Sequence, residues 1–388
     1  MVNFIDINYK SLNKHSEELC GDKVEYVYGD DSCIIVMSDG LGSGVKANIL
    51  ATMTTKIAVT MLKNGASIDD TIETIINTLP ECKVRKLAYS TFTIIKIDKY
   101  NNAYIAEYDN PPYFYFSHKR IISVNKNERV IGNKKIYESN IQLNEGDTIC
   151  VVSDGVIHAG IGQMLNLGWN WDEVNSYLRE LINVNKSAQL INRNFIGVCN
   201  NLYNNNPGDD TTILTIKARK PVIIDIFIGP PADEKLDKEL AKIMTRSKNM
   251  KIICGGTTAI IAERELGLEL KVDLDSMKDD VPPIAYLEGF DLVTEGVLTL
   301  GKTLENVKRL NNLNYDDVVA FNDFDGCSLL TQMITDIGTH INFYIGRAVN
   351  PAHQNPNFPL GYNIKQNIVE SLIDELKKTG KKISVAYY

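Results

Sequence analysis

Residues 33–44 read Cys33-Ile34-Ile35-Val36-Met37-Ser38-Asp39-Gly40-Leu41-Gly42-Ser43-Gly44. An unbroken apolar run ends at an acid, and glycines follow. The run is the pattern of a buried strand, and Asp-Gly is the pattern of the turn that closes one. The same grammar returns in Ile149-Cys150-Val151-Val152-Ser153-Asp154-Gly155. Two more acidic steps adjoin apolar stretches, Gly21-Asp22 and Gly208-Asp209-Asp210-Thr211-Thr212. A single Asp-Gly is an ordinary turn signal, and a single Asp often caps a helix. Four such segments in one half of a chain carry more. Core strands that drive several carboxylates out at one edge pay an electrostatic penalty unless something cationic neutralises them.

Two divalent cations meet that need. Mg2+ and Mn2+ favour octahedral oxygen shells made of a few carboxylates, waters and sometimes a backbone carbonyl. A glycine after Asp39 lets its carbonyl come close to an ion. Two such ions lower the pKa of a shared water and aim it at phosphorus, in line with the leaving oxygen. That chemistry needs no Ser, Cys or His nucleophile, and the chain offers no convincing one. Its seven cysteines include no Cys-x-x-Cys pair and lie mostly in apolar runs, so they read as free core thiols of a reducing compartment. Its five histidines are scattered, with no His-x-x-x-His, so any bound metal is expected to be a hard cation held by oxygen.

Composition narrows the class. The 388 residues carry 41 Lys+Arg against 49 Asp+Glu, a net charge of −8 that argues against a general nucleic-acid binder. With 44% apolar and 23% charged residues the chain can bury substantial cores. No apolar run reaches the roughly 18 residues a membrane span needs. The N-terminus lacks the basic-then-apolar signature of a signal peptide, so a cytoplasmic location is expected.

Two regions with different grammar follow from the pattern. Strands are expected at 33–38, 91–97, 103–107, 148–153 and 211–216, and helices at 45–62, 68–79 and 171–181. The 45–62 helix is inferred from Val45, Ile49, Met53, Ile57 and Met61, which recur every four residues. The Asn-rich stretch 200–206 reads as a surface loop before Pro207-Gly208. A boundary is expected at Lys217-Ala218-Arg219-Lys220-Pro221, giving domains 1–219 and 220–388. Beyond it strand, tight turn and helix alternate, as in a mostly parallel α/β sheet: strand 222–228, helix 233–247, strand 251–254, helix 259–266, and a closing helix 364–378 and strand 382–387.

Ser38-Asp39-Gly40-Leu41-Gly42-Ser43-Gly44, Ser153-Asp154-Gly155-Val156 and Gly208-Asp209-Asp210-Thr211-Thr212 together resemble the signature motifs of the SpoIIE-like branch of the metal-dependent (PPM-type) serine/threonine protein phosphatases. Gly21-Asp22 stands where that family has its first Gly-Asp. The resemblance covers about residues 10–218. It implies an α+β domain, two antiparallel sheets packed face to face with helices outside, and a metal cleft at one end. It also implies site roles. Asp39 would bridge two divalent cations, Mn2+ or Mg2+, and the Gly40 carbonyl would bind one of them. Asp154 and Asp209 would complete the other shell, and Asp22 would hold or activate metal-bound water. Asp210 and Gly155 would support them. His158 departs from the pattern, since many relatives have an acid there; it reads as a surface-loop residue. Gly42-Ser43-Gly44 lacks the spacing of a nucleotide P-loop, and Lys46 reads as a solvated residue of the first helical turn.

The function expected from this resemblance is hydrolysis of phosphoserine or phosphothreonine on a phosphorylated regulatory protein, such as a STAS-type anti-sigma antagonist. Two alternatives stay open: a hydrolase of a small phosphorylated molecule, and a catalytically silent sensor or scaffold. A homodimer is compatible with the sequence. The second domain is expected to regulate the first. Its Gly255-Gly256-Thr257-Thr258 turn, between a strand and a helix, is a candidate site for a small anionic ligand. The bland alternative is a tight turn with a threonine cap.

Overall fold

The computed structural model describes residues 3–29, 31–78, 90–132, 134–278, 281–311, 324–348 and 364–388. The chain divides into two compact units, Met1–Lys220 and Pro221–Tyr388.

The first unit begins with strands β1 (Phe4–Leu12), β2 (Asp22–Tyr28) and β3 (Ser32–Asp39), then helices α1 (Gly44–Lys63) and α2 (Ile68–Thr78). A run of strands follows: β4 (Phe92–Asp98), β5 (Asn102–Tyr108), β6 (Phe114–Ser117), β7 (Arg120–Ile121), β8 (Asn127–Ile131), β9 (Lys134–Gln142) and β10 (Thr148–Val152). Helices α3 (Asp154–Ile157), α4 (Trp171–Val184) and α5 (Ala188–Leu202) precede the last strand, β11 (Thr211–Arg219). The strands form two antiparallel sheets, ordered β1-β11-β10-β6-β7 and β2-β3-β4-β5-β9-β8. Period-two alternation on β3 explains its unbroken apolar run. Cys33, Ile35 and Met37 face a core shared with Ile149, Val151, Leu214 and Ile216 of the other sheet. Ile34 and Val36 face Leu50 and Ala58 of α1 and Ile72 of α2. A strand buried on both faces has no solvent side on which to place polar residues, and each such side chain contributes about 1.5–3 kcal/mol. On the other outer face α5 is tied to its sheet through Asn192, which donates to the Asn8 carbonyl (2.7 Å) and accepts from Thr215 Oγ1 (2.5 Å).

The second unit runs β12 (Ile223–Ile228), α6 (Asp237–Arg246), β13 (Met250–Cys254), α7 (Gly256–Leu266), β14 (Lys271–Asp273), β15 (Ile284–Tyr286), β16 (Leu292–Thr294), α8 (Val297–Asn311), α9 (Gly326–Gln332), β17 (His340–Ile345), α10 (Ile364–Lys378) and β18 (Lys382–Tyr387). The sheet order is β14-β15-β16-β13-β12-β17-β18, and β16, β13, β12, β17 and β18 are parallel neighbours. From the central β12 the chain winds one way through α6 and α7, whose Leu240, Met244 and Ala259 pack on one face. It then winds the other way through α8, α9 and α10, whose Leu304, Leu330 and Leu372 pack on the opposite face. This is a doubly wound α/β sheet with a short antiparallel edge.

Four expectations need correction. The N-terminal part of the four-residue stripe on α1 faces outward: Val45, Ile49 and Met53 are exposed and Ile57 and Met61 half-buried, while Ala47, Leu50, Ala51, Thr54, Ala58 and Leu62 are buried. The small residues let the helix lie close on its sheet, and a period of four drifts off a 3.6-residue face. Residues 200–202 belong to α5; the turn begins at Tyr203, with Asn204 and Asn205 at positive φ. β11 continues through Arg219, which is buried and pairs with Asp6 at 2.8 Å, so the basic stretch there is strand interior up to that point. Helix α7 starts three residues before the expected 259. Leu79 and Cys82 lie outside the described residues. Cys33, Cys150, Cys199, Cys254 and Cys327 are free and buried, and Cys20 is half-buried.

Candidate metal centre

Two sheet ends meet to make the site. In the β2–β3 pair Asp22 lies directly opposite Asp39, and the Gly40 N–H donates to the Gly21 carbonyl at 3.2 Å. In the other sheet β10 ends at Val152, opposite Ile213 of β11. Beyond that pair the Ser153 N–H donates to the Thr212 carbonyl (3.0 Å), and the Thr212 N–H donates to Ser153 Oγ (2.9 Å). This reciprocal bond sets Asp154, first residue of α3, beside the Asp209-Asp210 turn. Four chain segments thus deliver carboxylates to one end of the sandwich.

Glycines allow the close approach. A Cβ on Gly155 would stand 2.1 Å from the Asp210 carbonyl oxygen, one on Gly40 would stand 2.1 Å from the Ala47 carbonyl oxygen, and one on Gly21 would stand 2.7 Å from Asp210 Oδ2. The glycine after Asp39 is therefore required by the backbone of α1, a reason the sequence alone does not reveal. The Asp39 backbone is fixed as well: its N–H donates to Thr91 Oγ1 (3.3 Å), and its carbonyl accepts from the Thr91 N–H (2.9 Å) and Ser90 Oγ (3.1 Å).

The electrostatics are those of crowded acids. Burial, then the charges of Asp22, Asp154, Asp209 and Asp210, hold the Asp39 carboxyl far above the usual carboxylate range. Asp22 is also raised, chiefly by burial and further by Asp210 and Asp154. The Thr212 and Ser153 hydroxyls nearby oppose that rise, but they donate to Ser11 Oγ (2.7 Å) and the Asp210 carbonyl (3.4 Å). Both Asp22 oxygens are left buried without a hydrogen-bond partner, as is Asp210 Oδ2. Asp154 is raised by burial and then by Asp209, and Asp210 by burial against the opposing bond from the Lys14 N–H (3.0 Å).

These side chains open into a cavity of about 510 Å3 lined by Asp39, Gly40, Asp154, Asp209 and Asp210, with Gly42, Ser43, Ser90 and Thr91. Two lining residues escape sequence reasoning. Lys14, in the loop after β1, places Nζ 3.7 Å from Asp209 Oδ1 and is the sole cation among the described lining residues. Nothing local marks it, since its partner lies nearly two hundred positions away. Asp109 follows β5 at positive φ and also lines the cavity. Its signal was available: Tyr108-Asp109-Asn110 repeats the strand-then-acid grammar. His158 is exposed and within electrostatic reach of Asp154, whose carboxyl it pulls down. Lys46 is exposed in the first turn of α1.

Among the described residues no three His, Cys, Asp or Glu side chains gather tightly enough to hold an ion unaided. An all-oxygen donor set with unpartnered buried carboxylate oxygens nonetheless suits a hard divalent cation whose shell is completed by water. The donors fit such a group.

A face-to-face antiparallel sandwich, flanked by helices and carrying aspartates from both sheets at one end, defines a phosphatase domain of the metal-dependent PPM class. Residues 29–219 match the family described as Stage II sporulation protein E (SpoIIE), and this stretch is a SpoIIE-family serine/threonine phosphatase domain. Solved structures similar to the chain include the PP2C phosphatase domain with a fragment of the regulatory domain of SpoIIE from Bacillus subtilis. It is 19% identical at a TM-score of 0.47, and the match covers 56% of this chain and 64% of that one, just under two thirds of its length. The RsbU and RsbW domains of a Mycobacterium tuberculosis protein match at 16% identity and a TM-score of 0.49, over 63% and 69% of the two chains. RsbX in complex with magnesium matches at 18% and 0.42, over 56% and 98%. No curated protein matches the chain. Among the described residues no helix is long and apolar enough to cross a membrane.

Proposed function

We propose that this chain is a divalent-metal-dependent phosphatase that removes phosphate from serine or threonine of a regulatory partner protein. The observation that carries the reading is the delivery of Asp39, Asp154, Asp209 and Asp210 to one cavity, with Asp22 buried opposite Asp39, where the raised carboxyls of Asp22, Asp39, Asp154 and Asp210 call for a cation. In this reading Asp39, Asp154 and Asp209, with the Gly40 carbonyl, would hold the divalent cations, Mn2+ or Mg2+, and Asp22 would support them or hold metal-bound water. Bound there, the cations would supply a nucleophile at neutral pH and charge stabilisation for the transferring phosphoryl group. Ser90 and Thr91 hold the Asp39 backbone, and Gly155 keeps Asp210 against α3. Lys14 presents an ammonium at the cavity wall, where it meets the substrate's dianion and holds Asp209 until the site is loaded.

Membership of residues 29–219 in the SpoIIE family supports a STAS-type regulatory protein as the partner class, in the cytoplasm. The second unit supplies the regulatory input. Assay of a phosphoserine peptide, a phosphothreonine peptide and a panel of phosphometabolites with Mn2+ tests the reading. Turnover of the peptides well above that of the metabolites is expected. Selective turnover of one metabolite would replace it with a small-molecule hydrolase, and no turnover of any would favour a silent scaffold.

A further inference from the structure

At the carboxyl edge of the second unit's sheet, two parallel strands lead into helices in different ways. β16 runs into α8 through Glu295, whose Oε2 accepts from the Leu298 N–H at 3.0 Å and the Thr299 N–H at 3.5 Å. That helix end is closed by the chain's own carboxylate. β13 runs into α7 through Gly255, which has φ +135° and no side chain to offer. The N–H groups of Gly256, Thr257 and Thr258 lack intrahelical acceptors, as at any helix start, and no described residue accepts them.

The second observation is Thr258. It is fully buried, and its Oγ1 has no hydrogen-bond partner. Several buried helical threonines elsewhere in the chain turn this oxygen onto the carbonyl four residues back: Thr54 to Leu50, Thr303 to Thr299, Thr331 to Cys327 and Thr335 to Thr331, all at 2.7–2.9 Å. Thr299, at the matching position of α8, is also unpartnered, but there Glu295 occupies the helix end. Thr258 Oγ1 instead faces the turn: it lies 3.6 Å from the place a Gly255 Cβ would take, and the Gly229 nitrogen lies 3.9 Å from the same place. In front of Gly256 nothing stands within 4 Å of a Cβ position.

The third observation is Lys365, in the first turn of α10. Its Nζ occupies the spot that a Cβ on Gly229 (φ +75°) would take. It is half-buried and has no carboxylate partner among the described residues, and burial alone depresses its ammonium. Among the described residues, an unpaired, partly desolvated cation, an unpaired hydroxyl and an uncapped helix start therefore adjoin the same glycine turn, on the sheet edge where open α/β sheets receive ligands. The donors are three N–H groups, one O–H and one N+–H, with no acidic side chain bonded to them. A carboxylate has two oxygens to offer, whereas a phosphoryl group presents three to divergent donors.

We propose that the Gly229 turn, the Gly255–Thr258 helix start and Lys365 form a binding site for the phosphate group of a small molecule. Free inorganic phosphate and a phosphate ester share this chemistry. The test is calorimetric titration of the full-length protein, stripped of metal with a chelator so that the crowded aspartates of the first unit repel phosphate. Inorganic phosphate is the probe in one arm and AMP in the other. Saturable binding of at least one probe is expected, with the tighter arm identifying the source. Binding should weaken about tenfold or more in both Lys365→Met, which keeps the apolar stem, and Thr258→Val, which keeps the shape. The melting temperature of Thr258→Val without phosphate should hold or rise, because the hydroxyl it removes is unpaired. No saturable binding of either probe, or unaltered binding in both variants, overturns the proposal.

Discussion

Asp22 and Asp39 face each other as direct partners across the antiparallel β2–β3 pair. Like charges in that position are destabilising, and here Asp22 is buried and Asp39 half-buried, so the fold favours protons or cations between them. Among the described residues of the first unit this charge is left largely uncovered, and Lys14 offsets a small part of it from the Asp209 side.

Proton uptake should be visible in the metal-free protein. Asp22, Asp39 and Asp154 have folded-state pKa values raised above their unfolded ones. The folded state therefore binds more protons than the unfolded state between those values, and the stability this provides is lost as pH rises through the folded pKa. With chelator present, the melting temperature should fall from about pH 5 to about pH 9, and Asp39→Asn should flatten that slope. Adding Mn2+ should reverse the trend, because metal competes with protons for the same oxygens. A chelated protein that gains stability over this range would contradict the crowding.

The close glycine contacts set a second expectation. Gly155→Ala puts a methyl into the Asp210 backbone, and Gly40→Ala puts one into the Ala47 carbonyl. Each should cost about 1–3 kcal/mol in urea unfolding, as overpacking does. Gly256→Ala, which has open space around it, should cost less than either. Equal effects at all three positions would remove the steric argument.

Much of this was legible in the chain. Strand ends at Asp39 and Asp154 are readable because apolar runs and Asp-Gly steps are local signals. The mostly parallel α/β character of the second unit is readable for the same reason; its winding in both directions from β12 is not. What stayed hidden depends on pairing across distance. Asp22 gives no strand signal of its own, and its opposition to Asp39 exists only once β2 pairs with β3. Lys14 is an ordinary loop residue until β1 and β11 bring it to Asp209. The outward stripe on α1 misleads because Val45, Ile49 and Met53 outrank the small residues in hydrophobicity, whereas close packing on the sheet selects Ala47, Ala51 and Ala58.

Lys14 gives a kinetic expectation. Its ammonium lines the cavity next to Asp209. Lys14→Met should raise KM for a phosphopeptide by about fivefold and leave kcat within about twofold, the size expected for a part-exposed charge contact. A kcat loss much larger than the KM change would place Lys14 in the chemical step.

Chelation and thiol chemistry separate the metal reading from a cysteine one. Among the described residues five cysteines are buried, and burial pushes the Cys33 and Cys150 thiols up to about 12, which keeps them protonated and inert. Activity should vanish with EDTA, return with Mn2+ or Mg2+, and survive mild alkylation of the folded protein. Loss of activity on alkylation with metal present would favour a thiol nucleophile.

The most direct measurement compares wild type with Asp39→Asn and Asp154→Asn in Mn2+-dependent hydrolysis of a phosphoserine peptide, alongside the chelated melting temperature of each. Both variants should lose activity by a factor of about a hundred or more. Both should also melt, without metal, at or above the wild-type temperature, because each removes a crowded charge and keeps the side-chain shape. Full activity in either variant would contradict the metal-centre assignment.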